Sequence, residues 1–369
     1  MTPTNVDTPD GSRSGDAVGA LRVIDAAANR AREGLRVVED YVRFVLDDGH
    51  LTGLCKQLRH DLAAAVGQVS LAGRLAARQT EADVGTHIST PTERRRDDLA
   101  GLLTANCLRV EEALRSLEEF GKLVNPEVAA GFEQLRYRAY TLHRAIETTR
   151  WSLDRLERSS LCVILDGRSS LSEFETLVRQ VIEAGADMIQ LRDKRLDDRR
   201  LIERGRVLRE LAHGTPALAG TRALVVVNDR PDLAALVRAD GVHLGQEDLS
   251  VKDARAIVGP EALIGVSTHS PEQARAAVLD GANYLGVGPT FPSGTKSFDR
   301  FPGLDLLRAV AAEICLPAFA IGGITSKNLP QVTATGFRRI AVQGAITSAT
   351  DPERATAELV AALKATEFH

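Results

Sequence analysis

From about residue 160 onward the chain alternates short apolar runs with longer amphipathic stretches. The apolar runs fall at Leu161–Leu165, Met188–Leu191, Ala223–Val227, Gly241–Leu244, Leu263–Val266, Tyr284–Val287, Ala318–Ile321 and Arg339–Val342. Near-continuous apolar runs of this length read as parallel strands buried on both faces. The intervals carry helical patterns, Phe174–Ala184 and Pro271–Asp280 among them. Eight strand–helix units between residues 159 and 369 predict an α/β fold, a (β/α)8 TIM barrel.

Residues 19–158 follow a helical period with almost no β signal, which predicts a separate all-α bundle. This segment also echoes itself. Glu33-Gly34-Leu35-Arg36-Val37-Val38-Glu39-Asp40-Tyr41 aligns with Glu112-Ala113-Leu114-Arg115-Ser116-Leu117-Glu118-Glu119-Phe120. Gln57-Leu58-Arg59-His60 then aligns with Gln134-Leu135-Arg136-Tyr137. Each half reads as a helical hairpin, and the domain as a bundle with an internal pseudo-repeat. Leu35, Val38 and Val42 offer an apolar stripe for its core. For the repeated Arg and Glu two readings stand. They are surface pairs at i,i+3 and i,i+4. Or Asn29, Arg32, Glu33 and Arg36 form a polar stripe, which would be a site if it faced the bundle interior. Residues 1–18, rich in Thr, Pro, Gly, Ser and Asp, are expected to be a disordered tail.

Composition narrows the function classes. The chain has 369 residues and a net charge of −4, so nothing points to nucleic acid. Cys55, Cys107, Cys162 and Cys315 are scattered without metal or redox spacing and read as reduced residues of a cytoplasmic protein. No apolar run is long enough for a membrane span.

The chemistry falls where a barrel keeps it, at the C-terminal ends of the strands. Strand 2 runs into Gln190-Leu191-Arg192-Asp193-Lys194, strand 3 into Asn228-Asp229-Arg230, and strand 4 into Gly245-Gln246-Glu247-Asp248. Strand 5 leads to Ser267, strand 6 to Ser293-Gly294-Thr295-Lys296, strand 7 to Gly322-Gly323, and strand 8 to Gln343-Gly344. Strand alternation would carry Gln190, Arg192 and Lys194 to one face. Asp229 and Asp248 follow adjacent strands and suit a shared Mg²⁺ whose other positions go to phosphate oxygens. Arg192, Lys194 and Lys296 add positive charge. Gly322-Gly323 and Gly344 offer backbone N–H groups for a phosphate monoester. With no evident nucleophile, displacement of diphosphate by charge stabilisation fits this inventory. His243 reads as a satisfied strand-end histidine.

These motifs resemble the thiamine-phosphate synthase family, which shows Gln-Leu-Arg-Glu-Lys, Asn-Asp-Arg, His-Leu-Gly-Gln-x-Asp, Gly-Val-Ser, Gly-Pro-x-x-x-Thr-x-Thr-Lys and Ile-Gly-Gly-Ile. Here they stand at Gln190–Lys194, Asn228–Arg230, His243–Asp248, Gly265–Ser267, Gly288–Lys296 and Ile321–Ile324. The resemblance implies condensation of hydroxymethylpyrimidine diphosphate with thiazole phosphate to thiamine phosphate and diphosphate. It implies that Gln190 to Lys194, Asn228, Ser267 and Lys296 handle the pyrimidine diphosphate, with Arg192, Lys194, Lys296 and Ser267 as the catalytic set. It places Mg²⁺ on Asp229 and Asp248, and the thiazole phosphate against Ser293, Thr295, Gly323, Gln343 and Gly344; Gly294 and Gly322, beside them in the chain, are counted among the substrate-binding residues. Three departures stand out. Asp193 replaces the usual Glu and is expected to orient Arg192. Ser293 replaces a Thr. Gln343-Gly344 replaces an apolar residue and Ser, which removes a hydroxyl from the thiazole phosphate site.

The first domain resembles the helical domain fused ahead of some synthases, through Asn29–Val37, Leu58–Leu62, Asp83–Thr86, Leu114–Glu119 and Leu135–Arg138. That resemblance implies phosphorylation of hydroxymethylpyrimidine phosphate, with ATP as a ligand. No Walker or Gly-rich nucleotide loop accompanies it. The alternative is a non-catalytic oligomerisation or regulatory module, with a second copy of the chain as a candidate partner. For the barrel the alternative is a regulatory relative that binds a thiazole product.

Overall fold

A computed structural model describes residues 11–81, 83–84, 96–214, 222–292 and 302–365. The chain divides into two compact units, Met1–Arg144 and Ala145–His369.

The first unit is helical. Helix α1 (Gly11–Tyr41) runs into a π-helical turn, Val42–Leu46, that ends at left-handed Asp47. Helix α2 (Gly49–Gly67) follows, its first turn capped by Asp48, whose carboxylate accepts from Leu51 N at 2.7 Å. Then come α3 (Leu71–Ala77), α4 (Leu99–Gly121) and α5 (Pro126–Arg155). Ser70 and Asp98 cap α3 and α4 in the same way. Helix α1 begins at Gly11, so residues 11–18 are helical rather than the tail expected there, and residues 1–10 lie outside the described residues. Gly34 of α1 sits against α4. A Cβ there would meet Val110 Cγ2 at 2.8 Å, so the glycine permits the close approach.

The pseudo-repeat holds side chain by side chain. Glu39 is buried and takes Arg36 Nη1 at 3.3 Å and Arg59 Nε at 3.0 Å. Its counterpart Glu118 takes Arg115 Nη1 at 2.8 Å and Arg136 Nε at 2.7 Å. Burial pushes the Glu118 carboxyl up, but the hydrogen bond and charge of Arg136, with Arg115 and Lys122, outweigh it and hold the group below its ordinary value. The stripe expected as a possible interior site is different: Arg32, Glu33 and Arg36 are exposed and Asn29 is half-buried. The buried repeated acids are therefore Glu39 and Glu118.

In the second unit eight parallel strands close into one barrel in sequence order. They are β1 (Leu161–Leu165), β2 (Met188–Leu191), β3 (Leu224–Asn228), β4 (Gly241–Leu244), β5 (Leu263–Thr268), β6 (Tyr284–Val287), β7 (Ala318–Ile321) and β8 (Ile340–Val342). The expected runs match these within one residue, apart from β5, which extends two residues further to include Ser267 and Thr268. The intervening helices are α6 (Leu171–Glu183), α7 (Asp198–Gly214), α8 (Pro231–Leu236), α9 (Val251–Val258), α10 (Pro271–Asp280), α11 (Gly303–Ala311), α12 (Leu329–Thr333), α13 (Gly344–Thr347) and α14 (Pro352–Ala365). The barrel closes through Val163 opposite Val342. Its interior packs Cys162, Ile164, Met188, Val226, Leu263, Tyr284, Phe319 and Ala341 with Leu156.

The N-terminal face repeats one device. The residue before β2, Asp187, accepts from Ser160 N and Leu161 N at the start of β1. Asp240, before β4, accepts from Val225 N of β3, and Asn283, before β6, from Ile264 N of β5. Asn283 also donates to Ser152 Oγ of α5 at 3.1 Å. Through Ser152, Trp151 and Leu156 the end of α5 belongs to the barrel's packing. That moves the unit boundary to Arg144, fourteen residues before the 158 expected from the change in periodicity. A boundary inside a continuous helix leaves no periodicity signal.

Candidate active site

The mouth of the barrel is built from the loops that follow β2 to β8. Gln190 is the last inward residue of β2 and is buried. The strand ends at Leu191, so the alternation expected to carry Gln190, Arg192 and Lys194 to one face stops there. Arg192 is half-buried and Lys194 exposed. Asp193 turns inward, its side chain 1% exposed. It accepts from Gly167 N, Arg195 N and Leu196 N, and pairs with Arg195 Nη2 at 3.3 Å. Burial alone would raise this carboxyl; the amide and Arg195 hydrogen bonds hold it below its ordinary value. Asp193 thus locks the β1 and β2 loops together, and its guanidinium partner is Arg195 rather than the expected Arg192. Its shorter side chain reaches three amides of its own and the neighbouring loop.

Asn228 closes β3 opposite His243 of β4. Asp229 follows in the left-handed region, φ 60°, with its amide donating to His243 O at 2.8 Å. Short polar side chains tolerate that conformation. It turns the carboxylate toward Asp248, which lies within hydrogen-bonding reach. Asp248 Oδ2 itself accepts from Gly245 N at 2.6 Å and so is pinned by its own loop. Lys194 Nζ stands 3.4 Å from Asp229 Oδ2. Burial, then the hydrogen bond and like charge of Asp248, raise the Asp229 carboxyl above its ordinary value despite Lys194. Two carboxylates that crowd each other beside a cation make an anionic pair that a divalent ion would satisfy. No cluster of three or more His, Cys, Asp or Glu suited to a metal occurs among the described residues.

Ser267 is half-buried in β5, and its hydroxyl lies 2.9 Å from His243 Nε2. Gly322 and Gly323 follow β7 with φ 104° and 63°. A Cβ on Gly323 would fall 2.7 Å from Pro292 O, and one on Gly322 2.9 Å from Pro289 Cα, so only glycine fits under the β6 loop. Gln343 is half-buried, and its carbonyl accepts from Ile346 N and Thr347 N at the start of α13. Gly344 is exposed with open space around its missing Cβ. Ser293, Gly294, Thr295 and Lys296 lie outside the described residues.

Beneath Ser267 the sequence reading had His243 as a satisfied strand-end histidine and missed its partner Tyr284. His243 Nδ1 is 3.2 Å from the Tyr284 hydroxyl, and the two rings lie 5.5 Å apart. Gly265 faces both: a Cβ there would stand 2.1 Å from Tyr284 Cζ and 2.5 Å from His243 Nδ1. The signal was present in Gly265-Val266-Ser267, where a strand period of two aligns the glycine under the serine. His269 Nδ1 lies 2.6 Å from Gly288 O and ties the β5 loop to the start of the β6 loop.

A closed (β/α)8 barrel with its carboxylates, cations and glycine turns gathered at the strand ends defines a TIM-barrel enzyme scaffold. Residues 161–346 match the model for the thiamine monophosphate synthase family, and residues 22–145 match the ThiD2 family. The thiamine-phosphate synthase of Rhodopirellula baltica is 43% identical over 335 residues, which cover 88% of this chain and 88% of that protein. That of Synechocystis sp. is 42% identical over 342 residues, covering 93% and 96%. A solved thiamine phosphate pyrophosphorylase from Pyrococcus furiosus is 37% identical, with a TM-score of 0.50 over 56% of this chain and 96% of its own. The chain belongs to the thiamine-phosphate synthase family, and its activity is that of a transferase. No described helix is long and apolar enough to cross a membrane.

Proposed function

We propose that the barrel joins 4-amino-5-hydroxymethyl-2-methylpyrimidine diphosphate to 4-methyl-5-(2-phosphoethyl)thiazole, and that the site described above carries the reaction. The observation that supports this most is the meeting of Asp229, Asp248 and Lys194 at the ends of three adjacent strands. Mg²⁺ held there by the two carboxylates would supply a Lewis acid that neutralises charge on the diphosphate. Arg192, Lys194 and Lys296 add fixed positive charge for the same leaving group. Gln190, Asn228 and Ser267 orient the pyrimidine diphosphate with neutral hydrogen-bonding groups. Ser293, Thr295, Gly322, Gly323, Gln343 and Gly344 receive the thiazole phosphate. The aminopyrimidine pushes electrons toward its CH₂–O bond. With many stabilisers of the leaving group and no evident base, diphosphate departs ahead of attack by the thiazole nitrogen.

The test is the full-length protein with both substrates and Mg²⁺, followed by chromatography for thiamine phosphate. Diphosphate and thiamine phosphate should appear in equal amounts. Unchanged substrates would refute the reading, and full turnover in excess chelator would refute the metal. The thiazole half makes its own prediction. Gly344→Ser should be accepted into the open space and should lower KM for thiazole phosphate by roughly tenfold, the worth of one hydrogen bond to a charged group. A KM that rises would place that phosphate elsewhere.

We further propose that the first unit transfers the γ-phosphoryl group of ATP to the pyrimidine monophosphate and so makes the diphosphate for the barrel. Its support is the ThiD2 match over residues 22–145. Full-length protein given pyrimidine monophosphate, ATP and thiazole phosphate should release ADP and thiamine phosphate; no ADP would sink the kinase. A second reading, an oligomerisation module, is favoured by exposed apolar residues at matching places in the two repeats. Phe44 and Val45 follow the first repeat, and Leu123 and Val124 the second. Light scattering of the full chain decides whether copies associate.

A further inference from the structure

Tyr284, His243 and Ser267 form a hydrogen-bonded line up the inside of the barrel. Tyr284 lies in β6, His243 in β4 and Ser267 in β5, at 3.2 Å and 2.9 Å steps. His243 and Gly265 are register partners, as are Gly265 and Tyr284. The two rings therefore meet across the flat surface that Gly265 leaves. Gly286 leaves the next space: a Cβ there would come within 3.0 Å of His243 Cε1. Tyr284 is held in turn by Phe319, edge to face with centroids 5.6 Å apart. His243 is boxed in, and its two nitrogens have fixed neighbours.

We propose that Tyr284 acts through His243 to hold the Ser267 hydroxyl as a hydrogen-bond donor toward the pyrimidine diphosphate. This rests on the synthase reading above and makes Tyr284 and His243 positioning residues for it.

The direction follows from counting protons. Tyr284 is fully buried, and burial pushes its phenol well above the ordinary range, so it keeps its proton. A buried hydroxyl proton needs an acceptor, and the phenol oxygen's partner is His243 Nδ1. Nδ1 therefore accepts. In a neutral imidazole the remaining proton then sits on Nε2 and donates to Ser267 Oγ. With its oxygen engaged as an acceptor, Ser267 turns its own proton outward to the mouth. In the opposite tautomer Ser267 would spend that proton on Nε2 and present only lone pairs to an anionic substrate. No proton is transferred; the chain sets polarity.

Imidazole nitrogen NMR of the full-length protein separates the two tautomers. His243 should show a bare Nδ1 and a protonated Nε2. Protonation at Nδ1, or at both nitrogens, overturns the proposal, whatever the protein's activity. The kinetic arm is a double-mutant cycle. Tyr284→Phe should lower kcat by roughly three- to tenfold, the equivalent of one neutral hydrogen bond, with KM for thiazole phosphate unchanged. In a Ser267→Ala background the same substitution should have no further effect. Losses that multiply across the cycle would mean that Tyr284 serves packing alone, and overturn the proposal. A wild-type protein that forms no thiamine phosphate would refute the synthase reading while the tautomer test still stands. If Tyr284→Phe does not fold, the wild-type tautomer decides by itself.

Discussion

Asp229→Asn lowers turnover by about 10²–10³ and at the same time raises the melting temperature of the ligand-free protein: that is the expected result. The two effects share one cause. Asp229 is half-buried against Asp248, and burial together with that like charge raises its carboxyl above the unfolded value. For a raised acid, the favourable contribution is full below the unfolded range and is lost as pH rises through the folded value. At neutral pH the ionised group therefore costs stability, and an amide of the same shape removes the cost. What it also removes is the charge that would hold a cation against a diphosphate. Lys194, 3.4 Å away, then loses its ion-pair partner. Thermal unfolding near pH 7, with and without Mg²⁺ and diphosphate, checks both halves. Ligands should raise the wild-type transition and leave that of the variant nearly unmoved. A variant that is less stable without ligand, or fully active, would mean that Asp229 is a structural acid. Asp248→Asn should lose activity similarly, but it trades a charged acceptor of the Gly245 amide for a neutral one and should gain less stability.

Glu118→Ala should destabilise the helical unit by about 2–3 kcal/mol, somewhat less than a deeply buried pair because Arg115 and Lys122 lie half-exposed beside it. Removing Glu118 leaves Arg136 buried, stacked over Tyr137 at 4.6 Å and without its carboxylate. A cation left unpaired in that setting costs more than the pair was worth. Glu118→Ala with Arg136→Met should therefore recover most of the loss. Hydrogen exchange of the α4 amides reads the effect without assuming that the two units unfold together. Equal losses in the single and double variants would mean that the carboxylate matters for packing rather than for charge. The pH dependence has a defined sign. Glu118 is depressed, so its contribution is present above the ordinary carboxylate range and fades as pH falls through the folded value. Glu39→Ala should likewise destabilise the helical unit, because Glu39 repeats the same contacts with Arg36 and Arg59.

The sequence by itself determined the barrel, the order of its strands and the place of its polar groups. A strand buried on both faces must be apolar throughout, so the eight runs were legible one by one, and each polar cluster marked where its strand ended. The helical repeat was legible too, because Glu39 and Glu118 stand in nine-residue windows that match position by position. What only the tertiary structure decided concerns partners. Whether a repeated acid is a solvated pair or a buried one depends on which helix lies across from it. The choice of Glu39 and Glu118 over Glu33 and Glu112 needed Arg59 and Arg136 from other helices. Asp193 could be expected to serve Arg192 next to it, but the β1 loop brought Gly167 within reach, the turn after β2 brought Arg195 and Leu196, and three amides outweigh one neighbour. The role of His243 rested on Tyr284, forty-one positions away in the chain, and on two glycines that carry no side chain to announce themselves. Periodicity is local and is written along the chain, whereas the partners of a buried polar group are set by the register between strands and the crossing of helices.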